Sequence, residues 1–275
     1  MKRRTALIVG AAVMAVTAGL APTATAQHIP DANTVLYDGY DGTSNGAEHG
    51  TVDYVPSLPT LGEAVDLDVG DWLKYSMPSW STQQGTIEAW INPETYGYSI
   101  ALLQWYNTNT APSSGYIGHF NITPDGYLAW NSWGPPFPPA PTPLGTTVIP
   151  LGEWTHVAAT WGPAGTNLYV NGQIDYSTAS RWAPAMWFTT TYVYINDWGF
   201  RDHGLMDEFR ISDVPRTAEE IEAYVDDTAD STPPDKEACK KGGWETYTDG
   251  DGTPFANQGD CVSYVVTGGR NLAQG

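Results

Sequence analysis

Short apolar runs separated by glycine, asparagine and proline recur along the chain from residue 28 to residue 225. The runs are rich in valine, isoleucine, threonine and tyrosine, which is typical of β-strands. Asn171-Gly172 lies between the runs 167–170 and 173–176 and predicts a hairpin with a type I′ turn. The other predicted strands are 86–91, 116–120, 156–161, 191–195 and 206–211.

One segment has the pattern of a helix. Thr217 and Glu220 form a capping box, and the apolar residues Ile221 and Tyr224 follow it. Many short strands with one short helix at their C-terminal end predict an all-β fold, a two-sheet antiparallel sandwich of the jelly-roll type.

The N-terminus has the three parts of a signal peptide. Residues 2–4 are basic, residues 6–21 are apolar, and residues 24–26 are small. A membrane-spanning helix is the alternative, but the apolar run is too short and too rich in alanine and glycine. We therefore expect residues 1–26 to be removed and the secreted protein to begin at Gln27. We expect no membrane span.

The net charge narrows the choice of partners. The whole chain has a formal net charge of −19, and loss of the three basic residues at its start would make this −22. An acidic surface argues against nucleic acid and against anionic polymers. It is compatible with neutral glycans and with divalent cations, and also with a simple role in solubility.

Composition divides the mature chain into three parts. Residues 28–225 form the predicted sandwich, and the acidic, proline-containing residues 226–236 read as a linker. Residues 237–275 form a short module that contains Cys239 and Cys261. In an exported protein an even pair of cysteines is expected to form a disulfide.

Four segments of the predicted sandwich are distinctive, namely 64–78, 85–94, 151–175 and 204–225. In this order they resemble the LamG-like jelly roll of the concanavalin A-like lectin/glucanase superfamily. The tail 239–271 is similar to a C-terminal motif of bacterial secreted proteins. The resemblance implies the sandwich fold, but it leaves function open because the fold serves lectins, enzyme modules, adhesins and spacers.

The resemblance also implies a structural calcium ion. In related jelly rolls such an ion joins an aspartate after the first strand to an aspartate of a late strand, and these positions match Asp38 and Asp207. Residues 38–45 are rich in the oxygen ligands that calcium prefers. The alternative is that Asp207 caps a turn and Asp38 is solvated.

Aromatic residues are the candidates for ligand binding. The chain has 12 tryptophans and 16 tyrosines, more than one sandwich core needs. Trp90, Trp154 and Trp161 lie on predicted strands and are expected in the core. Aromatic residues near turns could form a sugar-stacking platform, or could pack beneath long loops. The platform candidates are Trp105, Tyr106, Trp133, Trp182 and Trp198.

A catalytic pair of carboxylates is not expected. Glycoside hydrolysis uses two closely placed carboxyl groups. Asp66, Asp68 and Asp71 imitate the glucanase pattern only weakly, because Gly70 interrupts the strand. Adjacent residues of a regular strand face opposite ways, which argues against a pair made by Asp207 and Glu208.

The sequence therefore favours a secreted, non-enzymatic binding protein with a neutral carbohydrate as ligand. An extracellular adhesive or structural protein that binds other proteins is the second hypothesis. A glycoside hydrolase or lyase of the same superfamily is the third.

Export gives the first testable prediction. Protein recovered from the culture medium should begin at Gln27 or within a few residues of it, because the small residues before it suit the signal peptidase. Intact mass spectrometry of the secreted protein measures this. Recovery of the uncleaved chain from the cell pellet alone would contradict it.

Overall fold

The computed structural model describes most of the chain after the N-terminal segment, and the predicted signal peptide lies outside the described residues. The described residues are 30–58, 61–68, 70–77, 83–96, 100–106, 116–132, 142–182, 191–196, 204–228, 232–233, 236–242, 244, 247–249 and 253–268.

The described residues form fifteen strands and two helices. The strands are β1 (Thr34–Asp38), β2 (Ala47–His49), β3 (Asp53–Pro56), β4 (Glu63–Leu67), β5 (Trp72–Met77), β6 (Gly85–Pro93), β7 (Ile100–Tyr106), β8 (Tyr116–Ile122), β9 (Tyr127–Ser132), β10 (Leu144–Val148), β11 (Thr155–Gly162), β12 (Gly165–Val170), β13 (Gln173–Thr178), β14 (Thr191–Ile195) and β15 (Gly204–Ser212). The helices are α1 (Ala218–Thr228) and α2 (Gln258–Thr267).

The strands form two antiparallel sheets. The first sheet has the order β13-β12-β11-β6-β15-β4-β3, and β1 also pairs with β15. The second sheet has the order β10-β9-β8-β7-β14-β5-β2. Strands distant in sequence are neighbours in both sheets, so the predicted all-β jelly-roll sandwich is confirmed.

The main core lies between the two sheets. In β6, Ile87 and Ala89 are buried in this core, while Glu88 and Trp90 alternate with them and lie on the outer face of the first sheet. Trp161 contacts Trp130 of the opposite sheet, with ring centroids 5.5 Å apart. Trp161 lies in the main core as expected, and Trp90 is buried as expected but in a second apolar cluster on the outer face, with Trp154 partly buried beside it.

A buried charge network lies on the outer face of the first sheet. The Glu88 carboxylate accepts hydrogen bonds from Arg210, with N–O distances of 2.8 and 2.9 Å, and Arg216 and His156 lie within 3.5 Å of it. Burial alone would raise the pKa of Glu88, but the adjacent His156 imidazole and the charge of Arg210 outweigh it and lower the pKa. Glu88 therefore remains a carboxylate although it is buried.

Helix α1 covers part of this face and begins as the sequence predicts. The Thr217 Oγ1 accepts a hydrogen bond from the Glu220 backbone N–H, and the Glu220 carboxylate accepts one from the Thr217 N–H. Tyr224 of α1 packs against the Trp90 cluster, and its ring lies under the Arg210 guanidinium at 4.5 Å. No helix among the described residues has the length and apolar character needed to cross a membrane.

The C-terminal module contains a second helix that the sequence did not predict. Asn257 caps the start of α2 by accepting a hydrogen bond from the Asp260 N–H, and Gly268 ends the helix in a left-handed conformation. The predicted disulfide between Cys239 and Cys261 is confirmed. Both cysteines pack with Phe255 in a small apolar cluster of their own, and Trp244 and Tyr247 lie at its edge.

The disulfide gives the second prediction. Reduction should expose the C-terminal module to protease while the sandwich stays folded, because the described cysteines and their cluster lie apart from the main core. A loop of this length is worth about 3 kcal/mol in the chain-entropy model. Limited proteolysis with and without reductant measures the effect. Cooperative unfolding of the whole chain on reduction would show that the tail and the sandwich are one unit.

Candidate functional site

The outer face of the second sheet is the candidate binding surface. In β5 the side chains of Leu73, Tyr75 and Met77 are buried in the core, so Trp72 and Lys74 lie on the opposite face. In β14 the same alternation buries Val193 and Ile195 and directs Tyr192 and Tyr194 outward. Aromatic side chains from two paired strands therefore meet on one side of the sheet.

These side chains form one cluster with His49 of β2, and we call it the Trp72 face. The His49 ring stacks on Trp72 with a centroid distance of 4.5 Å and an interplanar angle of 7°. Tyr194 lies tilted against Trp72 at 5.4 Å. The Lys74 Nζ lies 4.4 Å from the Tyr192 ring centroid and 5.6 Å from that of Tyr194. The cluster is thus held together by ring stacking and cation–π contacts.

The Trp72 face is accessible at one end of the sheet. His49 is exposed, and Trp72, Lys74 and Tyr192 are partly exposed. Towards β8 the face closes, since His119 is only 8 % exposed and Asn121 is buried. Burial lowers the pKa of His119 to about 4, so its imidazole is neutral at pH 7.

The predicted platform residues have different positions. Trp182 is 4 % exposed and packs in the main core, so its indole faces are not open to a ligand in this structure. Trp105 and Tyr106 lie in β7, where the backbone of Trp105 pairs with that of Val193 and the backbone of Tyr106 with that of Tyr192. Trp133 and Trp198 lie outside the described residues.

Sequence reasoning missed Trp72, although a signal was present. Residues 72–77 alternate strictly, with Trp72, Lys74 and Ser76 on one side and apolar or aromatic residues on the other. A tryptophan and a lysine on the side of a strand that faces away from the core are candidates for a ligand surface. Proximity to turns does not detect a residue of this kind, because its exposure follows from the alternation within a strand.

A second group of interest lies around the predicted calcium ligands. Asp38 is 2 % exposed, so the alternative that it is solvated is wrong. Its Oδ2 accepts hydrogen bonds from the Ser44 hydroxyl at 2.7 Å, the Asn45 N–H at 2.7 Å and the Tyr75 hydroxyl at 2.9 Å. Asp38 therefore organises the loop that follows β1.

Asp207 and Glu208 lie at a β-bulge in β15. Asp207 pairs with Trp90 and Arg210 pairs with Glu88, so the strand has one residue more than its partner at this point. Glu208 has a φ of 53°, and its carboxylate accepts hydrogen bonds from hydroxyls of Tyr37 and Tyr224.

The bulge corrects the expectation that these two acids face opposite ways. Tyr224, which binds Glu208, packs in the same cluster as Trp90, which is opposite Asp207, so both acids lie on the outer side of the first sheet. Burial, with the neighbouring charges of Glu208 and Asp41, raises the pKa of Asp207 to about 8, against the opposing effect of the Ser57 hydroxyl. Burial likewise raises the pKa of Glu208.

The two predicted ligands fit calcium unequally. The Asp207 Oδ2 is buried and makes no well-aligned hydrogen bond to a described residue, which suits a ligand oxygen. Asp38 does not fit, because its side chain already accepts hydrogen bonds from its own loop. No group of three or more histidine, cysteine or acidic side chains in the described part of the chain could hold a metal ion. A calcium ion shared by Asp38 and Asp207 does not follow from this geometry.

The acids considered for catalysis occupy a turn. Asp66 belongs to β4, and the Asp71 N–H donates a hydrogen bond to the Asp68 carbonyl in the turn that leads to β5. The Asp71 carboxylate accepts a hydrogen bond from the Thr51 N–H. These contacts give Asp68 and Asp71 roles in the turn between two strands.

Comparison with protein families matches residues 67–222 to the concanavalin A-like lectin/glucanases superfamily. The chain belongs to this superfamily. The matched residues include β5 and β14 of the Trp72 face as well as the bulge in β15. No curated protein sequence matches the chain.

Several solved structures are similar to this chain in fold. Domain 4 of AbnA, an extracellular arabinanase from Geobacillus stearothermophilus solved with arabinotriose, has a TM-score of 0.55 and 18 % identity, covering 70 % of this chain and 98 % of that one. A structure of botulinum neurotoxin type C, a toxin whose cell entry depends on interaction with two ganglioside molecules, has a TM-score of 0.54 and 13 % identity. The match covers 73 % of this chain and 52 % of that chain. At these identities the likeness shows the fold alone.

The raised pKa of Asp207 gives the third prediction. Its folded pKa of about 8 exceeds the usual 3.8. As the pH rises between these values, the unfolded chain releases this proton and the folded chain keeps it, so stability falls. The fall is at most about 1.4 kcal/mol per pH unit. Asp207→Asn should remove this part of the fall, measured by urea unfolding between about pH 5 and pH 8, whereas the exposed control Asp125→Asn should not.

A bound calcium ion predicts the opposite state of Asp207, an ionised carboxylate in place of a protonated carboxyl group. An ion held by Asp207 would keep the carboxylate ionised, so EDTA should lower the melting temperature and calcium should restore it. Asp207→Asn should then be insensitive to both additions. A melt that does not change with chelator in metal-free buffer would remove the calcium site.

Proposed function

We propose that this chain is a secreted, non-catalytic binding protein whose ligand is a neutral carbohydrate held on the Trp72 face. The observation that carries the proposal is the accessible group of Trp72, Tyr192, His49 and Lys74, which packs against the buried Tyr194.

The chemistry of this cluster suits a sugar. Sugar rings present C–H groups that pack on indole and phenol faces, while their hydroxyl groups need hydrogen-bond partners. Trp72 and Tyr192 supply partly exposed rings, and the Lys74 ammonium and the exposed His49 supply polar groups beside them. This choice of ligand class is supported by two structures of similar fold, one solved in complex with arabinotriose and one from a neurotoxin that interacts with gangliosides.

Charge favours a neutral ligand. The chain has 31 acidic and 12 basic residues. The field of such a surface opposes the approach of a polyanion and leaves a neutral oligosaccharide unaffected.

A binding role is favoured over hydrolysis by the residues of the Trp72 face. Hydrolysis of a glycosidic bond uses two carboxyl groups on either side of the bond. The five residues that define this face include no carboxylate. The buried acids Asp207 and Glu208 lie on the outer side of the other sheet and do not reach it.

Secretion is supported by the N-terminal pattern and by the disulfide. The basic, apolar and small residues within positions 2–26 follow the order of an export signal. The Cys239–Cys261 bond is of the kind that forms in oxidising compartments.

The fourth prediction tests the proposed site. Trp72→Ala should weaken retention on the glycan that binds the unmutated protein by about two- to tenfold, since an aromatic contact is worth about 0.5–1.5 kcal/mol. A glycan array on the purified protein finds the ligand, and affinity electrophoresis compares the variants. Trp244→Ala is the matched control, because Trp244 is also partly exposed but belongs to the C-terminal module.

Circular dichroism should show that both variants remain folded. Equal loss in the two variants, or no loss in Trp72→Ala, would show that the ligand binds elsewhere. If the unmutated protein retains no glycan, the adhesive, protein-binding hypothesis replaces this one.

A further inference from the structure

The two sheets meet at one side of the sandwich through strands β10 and β13. Strand β10 is the last strand of the second sheet and pairs with β9, and β13 is the last strand of the first sheet and pairs with β12. Each is therefore an edge strand among the described residues. Edge strands expose backbone N–H and C=O groups that can pair with another chain.

A single carboxylate occupies the outward N–H groups of β10. Asp175 of β13 accepts hydrogen bonds from the Thr146 N–H at 3.1 Å, the Thr147 N–H at 2.9 Å and the Thr146 hydroxyl at 3.0 Å. Gly145 makes room for this contact, because a Cβ there would lie 1.9 Å from the Asp175 Oδ2. The contact uses the groups to which an added strand would bind.

The surface around this contact is apolar. Leu144 and Val148 of β10 are 46 % and 49 % exposed, and Ile174, beside Asp175, is 54 % exposed. Two of these side chains lie on the same edge strand as the N–H groups that Asp175 binds. An exposed edge with apolar side chains is the usual starting point for strand pairing between copies of a chain.

We propose that Asp175 prevents self-association by occupying the edge of β10, and that a second copy of this chain would pair along β10 if this carboxylate were removed. A second copy is the fitting partner because it brings the same apolar Leu144 and Val148, which can cover one another in a two-fold arrangement. Asp175 therefore keeps the protein from forming a dimer or a larger assembly. This role is independent of the Trp72 face, which lies at the β2, β5 and β14 end of the sheet.

Asp175→Ala tests the proposal. Light scattering on a size-exclusion column, over a series of concentrations, should show an unmutated monomer and at least a doubling of molar mass for the variant. Asp53→Ala is the matched control, since Asp53 is an exposed aspartate on β3, the edge strand at the opposite side of the first sheet. Asp175→Asn keeps one acceptor oxygen and should stay monomeric, which distinguishes hydrogen bonding from charge repulsion.

Two further variants keep the test decisive. Val148→Lys added to Asp175→Ala should restore the monomer, because a charge on the edge opposes pairing. If Asp175→Ala does not fold, Gly145→Ala should displace the carboxylate and produce the same association. A folded, monomeric Asp175→Ala, or equal association of Asp53→Ala, would overturn the proposal, as would an unmutated protein that already associates.

Discussion

The buried carboxylate of Glu88 is the interaction on which the first sheet depends. It lies in the central strand β6 and is bound by Arg210 of β15, while His156 of β11 and Arg216 before α1 lie beside it. Arg216 also binds Asp31, so the N-terminal segment joins the same network. Removal of one partner of a buried ion pair costs about 3–5 kcal/mol, a large part of the stability of a typical domain.

This network gives the two outer faces of the sandwich different roles. Part of the outer face of the first sheet is covered by charge pairs and by α1, and Tyr224 of this helix binds the Glu208 carboxylate. The second sheet has cation–π and stacking contacts at its accessible end. The second sheet therefore presents prearranged aromatic rings at its accessible end, whereas much of the first sheet is covered.

Much of the fold could be predicted because its signals are local. The type I′ turn is an example, since Asn171 and Gly172 both have positive φ, as such a turn requires. The helix start at Thr217 is another. The alternation within β5 places Trp72 away from the core, but its contacts with His49 and Tyr194 depend on the pairing of β5 with β2 and β14, which no local pattern gives. The bulge at Glu208 leaves only a small mark in the hydrophobic pattern, since two acids separate Met206 from Phe209 where strict alternation has one polar residue.

That extra residue has a consequence for how sequences of this kind can vary. Asp207 lies opposite Trp90 and Arg210 lies opposite Glu88. The residues before and after the bulge therefore point to the same faces of the sheet as their partners in β6. Removal of residue 208 would turn the bulge into a regular ladder and leave Phe209 and Ile211 in the core. Chain length, and not only residue type, is thus free to vary at this one position of β15. A relative shorter by one residue here would have the same core but no carboxylate to bind Tyr37 and Tyr224.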